Sequence, residues 1–216
     1  MSAFDLKLAE MLASRLCHDL VNPIGAVANG VELMSEFCDT MQKDALDLVA
    51  SSADSAMKRV AFFRVAYGYA GHDEGQSIQE VRGLTEGFLG SGKVALDWPP
   101  GPDDAAIGLP RSGLKLVLAL VAVAVESLPR GGKVAVAVAV DAPKGATIVA
   151  IGTGARIEAA TDAVLATLKA GTTPDPASLD PKTVGAAFAG RLAQQIGASI
   201  AVDSGADRVE VSLRLA

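Results

Sequence analysis

The 216-residue chain has only two cysteines, Cys17 and Cys38. Both fall in one helical pattern, about 30 Å apart at the ~1.5 Å rise of an α-helix, too far to bridge within one chain. A reducing compartment fits that usage. Basic residues are in deficit, 19 Lys and Arg against 25 Asp and Glu for a formal net charge of -6, which argues against a general nucleic-acid binder with its basic face. The first ten residues mix Asp5, Lys7 and Glu10 with apolar positions and lack the apolar core of a secretory leader. The longest apolar run, Leu116 to Val125, has about half of the ~20 residues a membrane helix needs. The expected setting is cytoplasmic, with neither membrane nor nucleic acid as partner.

Half of the residues are apolar, enough for a real core. From Leu8 onward they recur at Leu12, Leu16, Leu20, Ile24, Val27, Val31 and Met34, alternating steps of three and four as one helical stripe requires. A second stripe runs through Leu46, Val49, Ala53, Ala56, Val60, Phe63 and Tyr67 after a polar break from Cys38 to Lys43. Two long helices with a short connection make a hairpin. A lone hairpin leaves much of each stripe in water, so pairing with a second copy into a dimeric four-helix bundle is expected. Gly68, Gly71 and Gly75 then interrupt the pattern, dividing the chain into residues 1–72, the hairpin, and 73–216, an α/β domain.

Within the second part, Ser77 with Glu80 predicts a capping box opening a helix to about Leu89. Strands are expected at Lys93 to Trp98, Val134 to Val140 and Thr147 to Ile151, and at Ser199 to Asp203 with Arg208 to Leu213 across Ser204-Gly205. Arg111 to Leu128 reads as a largely buried helix, Glu158 to Lys169 and Pro181 to Ile196 as two more, and Asp175 to Asp180 as loop. The fold class is α+β, a helical hairpin followed by a two-layer α/β sandwich.

If Leu16 faces the core, a turn of about 100° per residue carries His18 to roughly 200°, into solvent. Ser14, Asn22, Gly25 and Asn29 share that outward side, a strip of small and polar residues that another backbone can approach. Neutral imidazole is nucleophilic near physiological pH, and its phosphorylated form holds a labile N–P bond able to pass a phosphoryl group onward. Pro23 lies one turn beyond, where it removes a backbone donor and is expected to kink the helix. Lys58, Arg59 and Arg64 on the second helix are a basic set that could meet an acidic partner.

His18-Asp19-Leu20-Val21-Asn22-Pro23 resembles the H-[ED]-x-x-[TN]-P motif on the dimerisation helix of sensor histidine kinases. The resemblance implies phosphorylation at His18, with Asp19 orienting the ring or taking its proton. It gives Asn22 a part in positioning water for dephosphorylation or in binding the receiver. The α/β half resembles the kinase ATP-binding domain with its nucleotide residues gone. No Asn follows Asn29 to act as magnesium ligand, Ala150 stands where the adenine-reading Asp would, and the phosphate lid is reduced to Thr183-Val184-Gly185-Ala186. Gly152 and Gly154 survive, and serve a tight turn.

A chain that keeps the histidine helix and loses the nucleotide site resembles the ChpT-type dimeric histidine phosphotransferases of bacterial phosphorelays. The segments Leu12 to Ala26 and Glu126 to Gly132 carry this most strongly. The family implies a phosphotransfer protein, not an ATP-dependent kinase, that shuttles a phosphoryl group between receiver-domain aspartates of a hybrid kinase and of response regulators. Ser14, Arg15, Gly25, Asn29, Arg59 and Arg64 would then contact the receivers. The protein would have no cofactor or metal of its own, because the partner receiver supplies the magnesium. A divergent ATP-using kinase and a non-catalytic docking module are the alternatives.

Overall fold

The computed structural model describes residues 2–36, 42–68, 77–90, 92–101, 109–139 and 144–215. Two long helices, α1 (Ala3–Glu36) and α2 (Gln42–Ala66), pack along one another as the two stripes predict. Gly30 permits their close approach: a Cβ there would fall 2.6 Å from the Val49 side chain and 3.2 Å from the Ala45 carbonyl. The α1 helix runs unbroken through Pro23. Within one chain the stripes are only partly covered. Leu12, Leu16 and Leu20 are half-buried, whereas Ile24 and Val31 are 56% and 55% exposed. Cys38 and the boundary expected between residues 72 and 73 lie outside the described residues.

The α/β part follows with α3 (Ile78–Leu89), β1 (Val94–Asp97), α4 (Arg111–Glu126), β2 (Gly132–Ala139), β3 (Gly145–Ile151), α5 (Ala159–Lys169), α6 (Val184–Ile196), β4 (Ser199–Gly205) and β5 (Arg208–Arg214). The capping box opens α3: the Ser77 hydroxyl accepts from the Glu80 amide at 3.2 Å, and the Ser77 amide donates to the Glu80 carboxylate at 2.7 Å. The sheet order is β1-β2-β3-β5-β4, with β1 and β2 parallel and every other pair antiparallel. Alternation sets one face inward. Val134, Val136, Ile148, Ala150, Val209, Val211 and Leu213 are all buried. They meet α4, which is apolar nearly all round and buried from Leu116 to Ala124, as a helix enclosed between a sheet and other helices must be.

Three local expectations need correction. Pro181 to Thr183 is not helical, because Asp180 accepts from the amides of Lys182 and Thr183, each at 2.8 Å, in a turn that postpones α6 to Val184. The stretch Asp175 to Asp180 contains a one-turn 3-10 helix, Pro176–Ser178, started by the Asp175 side chain accepting from the Ala177 amide at 2.8 Å. The final hairpin turns at Ala206-Asp207 and not at Ser204-Gly205, since Asp207 adopts the left-handed conformation (φ 57°) and Gly205 pairs with Arg208 in the ladder.

The hairpin is rooted in the α/β part. Phe62, Phe63, Val65 and Ala66 of α2 belong to the main core, and the Phe62 ring stacks on Phe88 of α3 with centroids 4.1 Å apart. At the other end of the root, Phe4 and Leu8 of α1 pack with Val164, Leu168, Leu179 and Val184. Asp5 pairs with Arg191 at 3.2 Å.

Candidate functional site

His18 projects from the middle of α1 with 83% of its side chain exposed, on the outward side that the stripe geometry predicts. Its Nδ1 lies 3.5 Å from Oδ1 of Asp19. Adjacent helix positions point in different directions, so this is a loose contact that leaves the other ring nitrogen open to an incoming group. The second oxygen of Asp19 faces Arg15 Nε one turn earlier, at 3.8 Å.

Arg15 continues the chain of charges into the α/β part. Its Nη2 meets Oε1 of Glu126, the last residue of α4, at 2.6 Å, and its Nη1 donates to the Pro181 carbonyl at 3.0 Å. Burial pushes the Glu126 carboxyl up, and the Arg15 guanidinium pulls it back only in part. Tyr67, at the end of α2, is raised well above the usual phenol range, first by burial and then by the Glu126 and Asp19 charges. Gly185 opens the space: a Cβ there would sit 3.2 Å from Oε1 of Glu126 and 3.6 Å from Nη1 of Arg15.

The remaining expected residues are spread along the hairpin. Ser14, Asn22 and Asn29 are exposed on α1, and Gly25 has open space where a side chain would stand. Arg59 lies over the Phe88 ring at 5.9 Å. Arg64 is exposed at the rim of an apolar groove formed by Leu12, Leu16, Leu20, Val60 and Phe63. Arg15, expected to contact partners, is bonded within its own chain to Glu126 and the Pro181 carbonyl.

Glu126, Tyr67 and Gly185 were not singled out as site residues from the sequence. The available signal was that Glu126 is the one acid in α4, directly after the apolar run Leu116 to Val125, a position from which a carboxylate needs a partner. The surviving glycines serve packing. The Gly152 amide donates to the Asp207 carbonyl at 3.0 Å and that of Gly154 to the Asp207 carboxylate at 2.6 Å. A Cβ on Gly152 would come within 2.3 Å of the Gly131 carbonyl, and Gly154 has a φ of 78°. Ala150 is fully buried, and Val123 lines a cleft of about 220 Å³ with Arg15, Glu126, Ser127 and Arg156.

A curated relative, the protein phosphotransferase ChpT of Brucella abortus (strain 2308), is 35% identical over 133 residues, a match covering 61% of this chain and 60% of that protein. A solved structure described as a bacterial phosphotransferase superposes with a TM-score of 0.76 at 28% identity, covering 99% of this chain and 97% of the other. The histidine kinase domain of the blue-light activated kinase of Erythrobacter litoralis EL346 gives a TM-score of 0.46 at 14% identity, over 90% of this chain and 93% of that one. Residues 78–208 match the family model of the histidine phosphotransferase C-terminal domain. On a match spanning more than half of its length, the chain belongs to the histidine phosphotransferase family to which that domain gives its name, the ChpT-type proteins.

Proposed function

We propose that this protein is a phosphorelay intermediate that accepts a phosphoryl group on His18 from one receiver-domain aspartate and passes it to another, without ATP. The carrying observation is the 83% exposed imidazole with a carboxylate at 3.5 Å. An exposed ring on a rigid helix lets an aspartyl phosphate approach in line, and transfer of this kind needs chiefly positioning and charge stabilisation. The magnesium for that belongs to the receiver's own acidic site. In this reading His18 is the nucleophile, Asp19 takes or orients its proton, and Asn22 influences phosphate lifetime. Ser14, Gly25, Asn29, Arg59 and Arg64 face the visiting receivers, those of a hybrid kinase and of response regulators, in the cytoplasm. No helix among the described residues is long and apolar enough to cross a membrane.

The test is incubation with a receiver domain phosphorylated on its aspartate and carrying labelled phosphate. Label should appear on this chain in a form lost in acid and kept in base, and should map to His18. Calorimetric titration with magnesium and ATP should give no binding heat. Label mapping elsewhere, or saturable ATP binding, contradicts the reading.

The homodimer belongs to the same proposal. Beyond the groove along Leu12, Leu16, Leu20, Val60 and Phe63, the α1 stripe carries exposed Ile24 and Val31, and exposed apolar surface of that extent on a helical hairpin calls for a partner. The occupant that matches two such stripes is a second copy. Val60→Glu with Ile24→Glu, both at exposed positions, should yield a folded monomer by sedimentation equilibrium where the wild type is a dimer. A monomeric wild type refutes the bundle.

A further inference from the structure

We infer that Glu126 is a positioning residue for the transfer step, acting on His18 through Arg15 and Asp19. This inference rests on the proposed phosphotransfer at His18 and adds a part for the α/β domain in setting up the imidazole.

The geometry is a relay of alternating charges. Oε1 of Glu126 lies 2.6 Å from Nη2 of Arg15, Nε of Arg15 lies 3.8 Å from Oδ2 of Asp19, and Oδ1 of Asp19 lies 3.5 Å from Nδ1 of His18. Each carboxylate or guanidinium therefore turns a different edge to each neighbour. The short contact is the one to Glu126, and the Pro181 carbonyl fixes the other terminal nitrogen at 3.0 Å. With both Nη atoms engaged, the fork cannot close bidentately on Asp19, its i,i+4 neighbour on α1. Asp19 keeps an oxygen for the ring.

The surroundings are built for the pair. Glu126 ends a helix whose preceding residues from Leu116 to Ala124 are all buried. Gly185, near the start of α6, leaves the gap that a larger side chain would fill. A half-buried ion pair is poor evidence for stability in itself. Its location, joining the histidine helix to the ends of α4 and the Pro181 turn, points to position.

Neutralising Glu126 frees one edge of the guanidinium, which then turns to Asp19 and draws that carboxylate from the ring. In Glu126→Gln, the single-turnover rate from a saturating phosphorylated receiver domain should fall about ten-fold, with the half-saturating receiver concentration unchanged. The effect should disappear when Asp19→Asn is already present, because both changes remove one pathway. Glu126→Asp should recover part of the rate. Arg15→Lys, which keeps the charge and loses the fork, should resemble Glu126→Gln.

An unchanged rate in Glu126→Gln overturns the inference. So does a loss that persists in the Asp19→Asn background, or one confined to receiver affinity. If Glu126→Gln does not fold, Arg15→Lys and Glu126→Asp decide by the same criteria. Should the wild type take no phosphoryl group on His18, the underlying reading fails, and that outcome is distinct from a wild type that transfers normally and is indifferent to Glu126.

Discussion

His18→Ala should take up no phosphoryl group from a phosphorylated receiver while remaining folded and in the oligomeric state of the wild type. The two halves of that expectation have separate physical grounds. The ring is 83% exposed and its only described polar neighbour is Asp19 at 3.5 Å, so truncation removes little packing, and alanine is the best helix former. The stability change should stay within about 0.5 kcal/mol, as for other surface positions. Transfer, in contrast, depends on a nucleophilic nitrogen that no other side chain of the motif supplies. Cys17 is the nearest alternative nucleophile, but it occupies a different angle on α1 and would give a thiophosphate instead of an acid-labile N–P bond. A chase experiment is decisive: donor receiver, variant and acceptor receiver are mixed, and label is followed to the acceptor. Passage of label at the wild-type rate would show that the imidazole is not the carrier.

Phe62→Ala should destabilise the protein by roughly 3–5 kcal/mol, the usual range for a buried phenylalanine. Phe62 is fully buried, stacked on Phe88 at 4.1 Å and edge-on to Phe63 at 6.0 Å. It sits where α2 enters the α/β core, so the cavity would open at the junction of the two parts, which cannot easily close around it. Urea unfolding at fixed protein concentration measures the loss, and Phe62→Leu should retain most of the stability. A cost below about 1 kcal/mol would mean that the two parts are not held by this stack, and that the orientation of Glu126 toward Arg15 has some other support.

The regular elements could be read from the chain because their patterns are local. The steps of three and four from Leu12 to Met34, and the Val and Ala alternation from Val134 onward, repeat with the period of the structure they form. The histidine's exposure followed from the same period. The misread turns are those in which a side chain overrode a familiar signal. Asp207, not Gly205, adopted the left-handed conformation, and Asp180 capped a turn that Pro181 alone suggested as a helix start. The Arg15–Glu126 contact could not be read at all, since it joins α1 to the end of α4 through the tertiary packing. Composition gave no means of telling whether Arg15 faced solvent or its own chain.

Phe4 and Leu8 of α1 find their buried neighbours in Val164, Leu168, Leu179 and Val184, and Asp5 finds Arg191. Such a closure joins α1 to α5, α6 and the segment between them, and contacts of long sequence separation form slowly. During synthesis the histidine helix therefore emerges with its first turns unpinned, and stays so until α6 has left the ribosome. The hairpin is complete long before then, and its apolar stripes are free to meet those of a neighbouring nascent chain. Seating of the first turns, and with it the fixed bearing of the helix against α6, therefore waits on residues made more than a hundred positions later.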